Sequence, residues 1–249
     1  MNERVIRVQS RLLPVAVLLV VLAIWEFFSL RHLVPESTFP SPHGVWTGFQ
    51  EEIGAGRLLE DIIASLFRIS VGFLLAVVLS VPFGLWLGSH IQASMALLPA
   101  TNFFRSLSPL AWIPFAILWF GIGDAPAIFL IFLSTFFPLA LAVTAAVANI
   151  PSVYFQVGRD YGFRGTKLLL GVTLPAIAPQ LITALRVTAG VAWMVVVAAE
   201  MIAGHDGLGF AIWDARNGLR TDLLVCNMIV IGCIGMALDR LLVLLTTLP

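Results

Sequence analysis

Charge is what this chain has least of. Asp, Glu, Lys and Arg make up 11% of its 249 residues, whereas 59% are hydrophobic. A soluble domain carries about 25% charged residues. Mean hydropathy is +0.99. Such a composition excludes a water-soluble globule and indicates an integral membrane protein. The few charges cancel, 14 basic against 14 acidic, so nothing points to a nucleic-acid partner. Cysteine is almost absent. Cys226 and Cys233 share one predicted helix, which sets them about 10 Å apart at 1.5 Å per residue, beyond disulfide reach. They read as small packing residues.

Catalytic patterns are missing too. A phosphate loop needs Gly-x-x-x-x-Gly-Lys-[Ser/Thr] after a strand, because its backbone amides must cradle phosphates. Gly165-Thr166-Lys167 has another order and no strand before it. His32, His43, His90 and His205 are scattered without metal-ligand spacing. No Ser-His-Asp arrangement can be argued. Any uphill transport must draw on a partner or an ion gradient.

Long apolar runs are abundant. At about 20 residues per pass, the sequence predicts an all-α polytopic protein with about six transmembrane helices. Arg4, Arg7 and Arg11 precede the run from Leu12 to Leu30. No small-x-small cleavage site follows, since Trp25-Glu26-Phe27-Phe28 is bulky, so this reads as an uncleaved first pass. Residues 31–56 carry Pro35, Pro40 and Pro42 with Glu36, Glu51 and Glu52, and lie outside the membrane. The second pass spans about 61–87, with Gly72, Ser80, Gly84 and Gly88 giving a small-residue face for close helix contact. The third, about 97–120, should be kinked or broken by Pro99, Pro109 and Pro114. On it Asn102, Arg105, Ser106 and Pro109 fall on one face, a polar stripe for protein or a water-filled path. A Gly121-Ile122-Gly123-Asp124 turn leads to the fourth pass, about 126–147. The fifth covers about 181–203 and contains Glu200; residues 204–209 turn the chain; 210–222 look polar and re-entrant; the sixth covers about 223–245. The expected division is 1–57, a first helix and outer segment, and 58–249, the membrane core.

Between the fourth and fifth passes lies Asn149 to Gln180, with Arg159, Asp160, Arg164 and Lys167. Apolar Val153, Val157 and Tyr161, then Leu168, Leu169 and Val172, recur at helical spacing, and Gly162 and Gly165 interrupt them. This predicts two short amphipathic helices with a sharp turn, lying beside the membrane. On the pattern alone an ordinary amphipathic loop reads the same way.

The residues of this loop resemble the EAA motif of the permease subunits of bacterial ABC importers. That motif runs Glu-Ala-Ala, three residues, Gly, then a stretch ending in Leu-Pro. Gln156-Val157-Gly158 stand at its first three positions, Gly162 at its glycine, and Leu174-Pro175 at its Leu-Pro. Further along, Phe39-Pro40-Ser41-Pro42, Leu110-Ala111-Trp112-Ile113-Pro114, Leu118-Trp119-Phe120-Gly121-Ile122-Gly123 and Val197-Ala198-Ala199-Glu200 are similar to the nitrate, sulfonate, taurine and bicarbonate branch of that family. Ile212-Trp213-Asp214-Ala215 looks most like its nitrate and bicarbonate members.

The resemblance implies an ABC type-1 permease fold whose loop, through Gln156, Val157, Gly158, Arg159, Asp160, Gly162, Arg164, Leu174 and Pro175, docks on an ATPase. It also implies the partners: two ABC ATPase subunits that carry ATP and Mg, a periplasmic substrate-binding protein and a second copy of the permease. The chain itself binds no cofactor and catalyses nothing.

Orientation follows from the basic residues. Six passes with both ends inside place Arg4, Arg7, Arg11, Arg159, Arg164, Lys167 and Arg240 in the cytoplasm, and only Arg31, Arg57, Arg216 and Arg220 outside. The expected location is the bacterial inner membrane. Arg68, Arg105, Arg186 and Glu200 are the ionisable residues deepest in predicted passes. Each costs on the order of 3 kcal/mol at a helix centre, which makes it a functional candidate. Arg68 and Arg186 can also snorkel to an interface, and Glu200 can pair with Arg68. Asn102, Arg105, Ser106, Glu200 and Arg68 are the path candidates. Two rivals stay open. An ion-coupled secondary transporter should show inverted repeats and its own ion site. A membrane-embedded enzyme should cluster His, Asp or Glu at one depth.

Overall fold

The computed structural model describes residues 3–31, 35 and 38–247, with side chains omitted at 3–12, 14, 15, 30 and 245–247. The side chains of Arg4, Arg7 and Arg11, and His32 and Glu36, lie outside the described residues. All regular structure among the described residues is helical.

In chain order the helices are α1 (Glu3–Leu30), α2 (Pro42–Gly54), α3 (Arg57–Ser89), α4 (Ile91–Ser106), α5 (Ile113–Phe120), α6 (Asp124–Ala148), α7 (Ser152–Asp160), α8 (Thr166–Leu168), α9 (Leu174–Ala203), α10 (Leu208–Asn217) and α11 (Thr221–Thr247). Among the described residues four helices are long and apolar enough to cross a membrane, and a bent pair makes five. The expected sixth pass, the first, falls in α1, where the described apolar stretch is only Ala16–Ser29.

Two compact units are present. One comprises residues 1–60 and 211–231, the other 61–210 and 232–249. In the first, α2 begins at Ser41, whose Oγ accepts from Gly44 N at 2.9 Å, with Pro42 at the first turn. Trp25 Nε1 donates to Pro40 O at 2.9 Å and sets α1 against the start of α2. Arg220 bonds Glu51 and Asp222 at 2.7 and 2.9 Å, and Arg57 bonds Asp214 at 3.0 Å. These bonds raise the Arg220 pKa, the Asp222 bond more than the Glu51 bond, and hold the Glu51 carboxyl below its ordinary range.

In the second unit, α6 and α9 pack along each other. Leu139, Val143, Ala146 and Val147 meet Ile177 towards one end, and Ala127 and Leu130 meet Val195 and Ala199 towards the other. The small-residue face of α3 is realised against α6. A Cβ at Gly72 would lie 2.8 Å from Ile131, at Gly84 2.6 Å from the Ala140 carbonyl, and at Gly88 2.6 Å from Val147. Only glycine permits that approach.

Two expectations need correction: Pro109 on the polar stripe, and a separate second loop helix. The third pass is broken, as its prolines predict. It is α4 and the stretch Pro109–Phe120, bent by 86° about extended Leu107 and Ser108. Pro109 lacks the N–H to continue α4, so it leaves the stripe, which ends at Ser106. The second short helix of the 149–180 loop is likewise absent as a separate element. α8, a π-helical turn at Leu169–Thr173 and α9 form one continuous helix, Thr166–Ala203. Pro175 can make no backbone bond back along the helix, and the wider π turn, with Leu174 N bonded to Leu169 O, accommodates it.

Candidate functional site

The 149–180 loop is built on α7 and its ending. Phe163 N bonds Gly158 O and Gly162 N bonds Arg159 O, both at 2.9 Å. These are the paired bonds of a Schellman ending, and Gly162 supplies the left-handed residue with φ 81°. A Cβ there would meet nothing within 4 Å. Within this chain Gly162 therefore serves the turn. The close approach belongs to Gly158, whose added Cβ would lie 2.8 Å from Leu168 Cδ1 and 3.0 Å from Val172 Cγ2. The glycine that replaces the motif's second alanine lets α7 sit directly on the base of the long helix.

The outer face of α7 is apolar and bare. Val153, Tyr154, Val157, Tyr161 and Phe163 are exposed, Tyr161 at 80%. With Val172 and Pro175 they line a cleft of about 550 Å³. Gln156, Arg159, Asp160, Arg164 and Lys167 are exposed around it, whereas Leu174 is half-buried against the core. An exposed apolar strip with a cleft beside it is the kind of surface that a partner can cover.

The second constellation is buried charge. Arg68 on α3 is fully buried and does not snorkel. Its Nε donates to Asp124 at 2.7 Å, and its Nη1 to Glu200 Oε1 and the Asp206 carbonyl at 2.9 Å each. Its Nη2 donates to the Asp206 carboxylate. Glu200, also fully buried, accepts at Oε2 from Ser65 Oγ at 2.8 Å and Gly209 N at 2.9 Å. Asp61 accepts from Gly207 N at 2.7 Å, and Ser65 Oγ from Leu208 N at 3.0 Å.

Gly207, with φ 97°, leaves space for this pair, since a Cβ there would lie 2.6 Å from Glu200 and 2.7 Å from Arg68. The pairing of Arg68 with Glu200 considered from sequence is thus present. Asp61, Asp124 and Asp206 were missed, because they lie at helix ends and in a loop and carry no pattern. Arg186 also pairs rather than snorkels, through two bonds to Asp239 at 2.7 and 2.8 Å.

Asn102, Arg105 and Ser106 stand apart from both sites. They are exposed on the last turns of α4, where Asn102 Nδ2 donates to Leu98 O and Ser106 Oγ to Asn102 O, each within its own helix. The path candidates therefore divide into a buried ion cluster, Arg68 with Glu200, and an exposed polar helix end.

The chain is similar to known transport proteins. Residues 80–248 match the family model "Binding-protein-dependent transport system inner membrane component". The chain is 33% identical over 241 residues to the bicarbonate transport system permease protein CmpB of Synechococcus elongatus, covering 92% of this chain and 86% of that one. It is 32% identical over 232 residues to the taurine transport system permease protein TauC of Escherichia coli, covering 91% and 84%. A chain of the inward-facing MetNI methionine ABC transporter has a similar fold, with a TM-score of 0.58 at 21% identity over 77% of this chain and 98% of that one.

Proposed function

Because the chain belongs to the family of binding-protein-dependent transport system inner membrane components, we propose that it is the membrane-spanning half of an ATP-driven importer for a small oxyanion. The working unit is two permease chains, two ATPase subunits that bind ATP and Mg, and a periplasmic protein that delivers the substrate. The chain sits in the bacterial inner membrane with both termini in the cytoplasm. Arg159, Arg164 and Lys167 support this side for the α7 loop.

The observation that carries the reading is the bare apolar face of α7 beside its cleft. A helix bedded in a groove passes on rigid-body motion. ATP binding closes the ATPase pair, α7 moves with its groove, and the path opens outward. The family favours this reading over an ion-coupled carrier, which would work without an ATPase.

Bicarbonate and taurine, named for two relatives, share a head of three oxygens on one central atom. Their permeases differ from this chain almost equally, at 33% and 32% identity, so the shared head supports a class and not a single compound. Co-expression of the chain with the ATPase and binding protein encoded beside it tests the proposal. The expected result is an ATPase that co-purifies, and loses the association on Val157→Asp. An ATPase that never associates, or that associates equally with the variant, overturns it.

A further inference from the structure

The cations placed deep in the passes are not equivalent. Arg68 faces carboxylates from Glu200, Asp124 and Asp206. An anion would be repelled there. Arg186 is held through both Nε and Nη2 by Asp239. Arg105 has no ion-pair partner among the described residues. It is exposed, on the last turn of α4, next to the extended backbone of Leu107 and Ser108.

A break of 86° in a pass interrupts the helical hydrogen bonds. Lipid cannot replace them, at several kcal/mol for each group left bare, so such backbone must face protein or water. Ser108 is exposed. The break therefore faces water or a neighbouring protein chain in the working assembly. A cavity of about 130 Å³ opens beside it, lined by Phe104, Arg105, Leu107, Trp112, Ser134 and Phe137 among others. That is room for about four waters at ~30 Å³ each, the size class of one small oxyanion.

We propose that Arg105 is the oxyanion contact of the path: its guanidinium takes two oxygens of the three-oxygen head as the substrate passes the α4–α5 break. The proposal rests on the importer reading above. Guanidinium suits this task because its planar fork matches two oxygens on one atom, which a lysine ammonium does not. A single fork without a second cation beside it also lets the anion go, as a conducting site must. A substrate with a sulfonate on a longer body enters head-first at Arg105. The phosphate of a lipid offers the same oxygens, and the test separates the two sources.

The test uses the assembled importer in vesicles, with Cys226→Ala and Cys233→Ala in the parent, and ATP-driven uptake of radiolabelled bicarbonate or taurine. Arg105→Cys should lower the maximal uptake at least ~10-fold, with Arg105→Lys in between. Aminoethyl methanethiosulfonate, which puts a cation back on the introduced thiol, should restore at least about threefold, and sulfonatoethyl methanethiosulfonate should restore nothing. Uptake by Arg105→Cys or Arg105→Lys equal to the parent overturns the proposal alone.

A parent that carries neither bicarbonate nor taurine, nor nitrate in the same assay, overturns the importer reading, and this proposal with it. If parent uptake needs anionic lipid, and Arg105→Cys abolishes that need without slowing uptake in neutral lipid, the site belongs to lipid and the proposal fails. Should Arg105→Cys not assemble, Arg105→Lys decides by the same comparison.

Discussion

Replacing Arg68 by Met tests the buried charge cluster most directly. The substitution keeps an unbranched apolar stem but removes every donor that Arg68 gives to Glu200, Asp124 and Asp206. Removing one partner of a buried pair costs about 3–5 kcal/mol, because the other charge is left uncompensated. Asp124 and Asp206 are half-exposed and can turn to water, so the cost falls mainly on fully buried Glu200, which keeps Ser65 and Gly209 N. This favours the lower end, about 3 kcal/mol. At about 2–4 °C per kcal/mol for a chain of this size, the melting temperature should fall by about 6–12 °C.

Glu200→Gln keeps the shape but points an N–H₂ group where Gly209 N–H needs an acceptor, which costs about 1–3 kcal/mol. The double variant Arg68→Met/Glu200→Met buries no charge and should lose less than the sum of its singles, by at least about 1 kcal/mol. Thermal unfolding in detergent, followed by tryptophan fluorescence, gives these three values and that of the single variant Glu200→Met, which completes the cycle. A melting point for Arg68→Met within about 2 °C of the parent, or strictly additive losses, refutes the reasoning.

Further predictions concern the loop, the helix interface and the outer ion pairs. Gly162→Val places a β-branched residue at φ 81°, at roughly 1–2 kcal/mol, and misdirects the end of α7. The importer should then hydrolyse ATP with little uptake, and parallel assays of phosphate release and uptake decide this. Gly84→Val drives a side chain into the Ala140 carbonyl, 2.6 Å from where its Cβ must sit. Backbone cannot swing aside, so α3 and α6 must separate, at about 1–3 kcal/mol or more, visible as a lower melting temperature than for Gly190→Val, where the space is open.

Glu51 titrates below its ordinary value because Arg220 donates to it. A lowered folded pKa stabilises above the unfolded value and is lost as pH falls through the folded one. The protection factors of the α2 amides, which correct exchange for its intrinsic pH dependence, should therefore stay flat from pH 7 to the ordinary carboxylate range and fall only below it. Glu51→Gln should remove that acid dependence.

Much of the fold was legible because the membrane makes the sequence simple. Each long helix announces itself as an uninterrupted apolar run, and prolines at 99, 109 and 114 announced the break in the third pass. The α7 loop was legible from its charges and glycines. What could not be read was which glycine did which job. Gly158 and Gly162 look alike in a sequence, yet one fills a contact and the other a left-handed turn, a difference fixed by tertiary packing. The Arg68 cluster was half legible. Arg68 and Glu200 stood out as charges inside apolar runs, whereas Asp61, Asp124 and Asp206 sit at helix ends and in a loop, where acids are ordinary. The merging of the second loop helix into the fifth pass was not legible, since Pro175 and Pro179 each remove a backbone N–H that a continuous helix uses. A π turn absorbs the first, and the second lies within α9.

The continuous helix Thr166–Ala203 joins the two sites in one mechanical element. Its 38 residues span about 57 Å at 1.5 Å per residue. One end carries α7 through Gly158 on Leu168 and Val172, and the other carries Glu200 in the grip of Arg68. Under the proposed coupling, motion delivered at α7 has two routes. It can tilt the whole helix against α6, or it can be absorbed at the π turn, Leu169–Thr173, where the regular bonds are already relaxed. The first route needs the far end to hold, and the Arg68 cluster is the hold: loosening it should waste the stroke as well as lower stability. Arg68→Met importers that still assemble should then hydrolyse ATP with reduced uptake per ATP, in parallel with their melting loss. Undiminished uptake per ATP in a clearly destabilised Arg68→Met would place the yielding point at the π turn instead, and would free the far end of the helix from any part in the stroke.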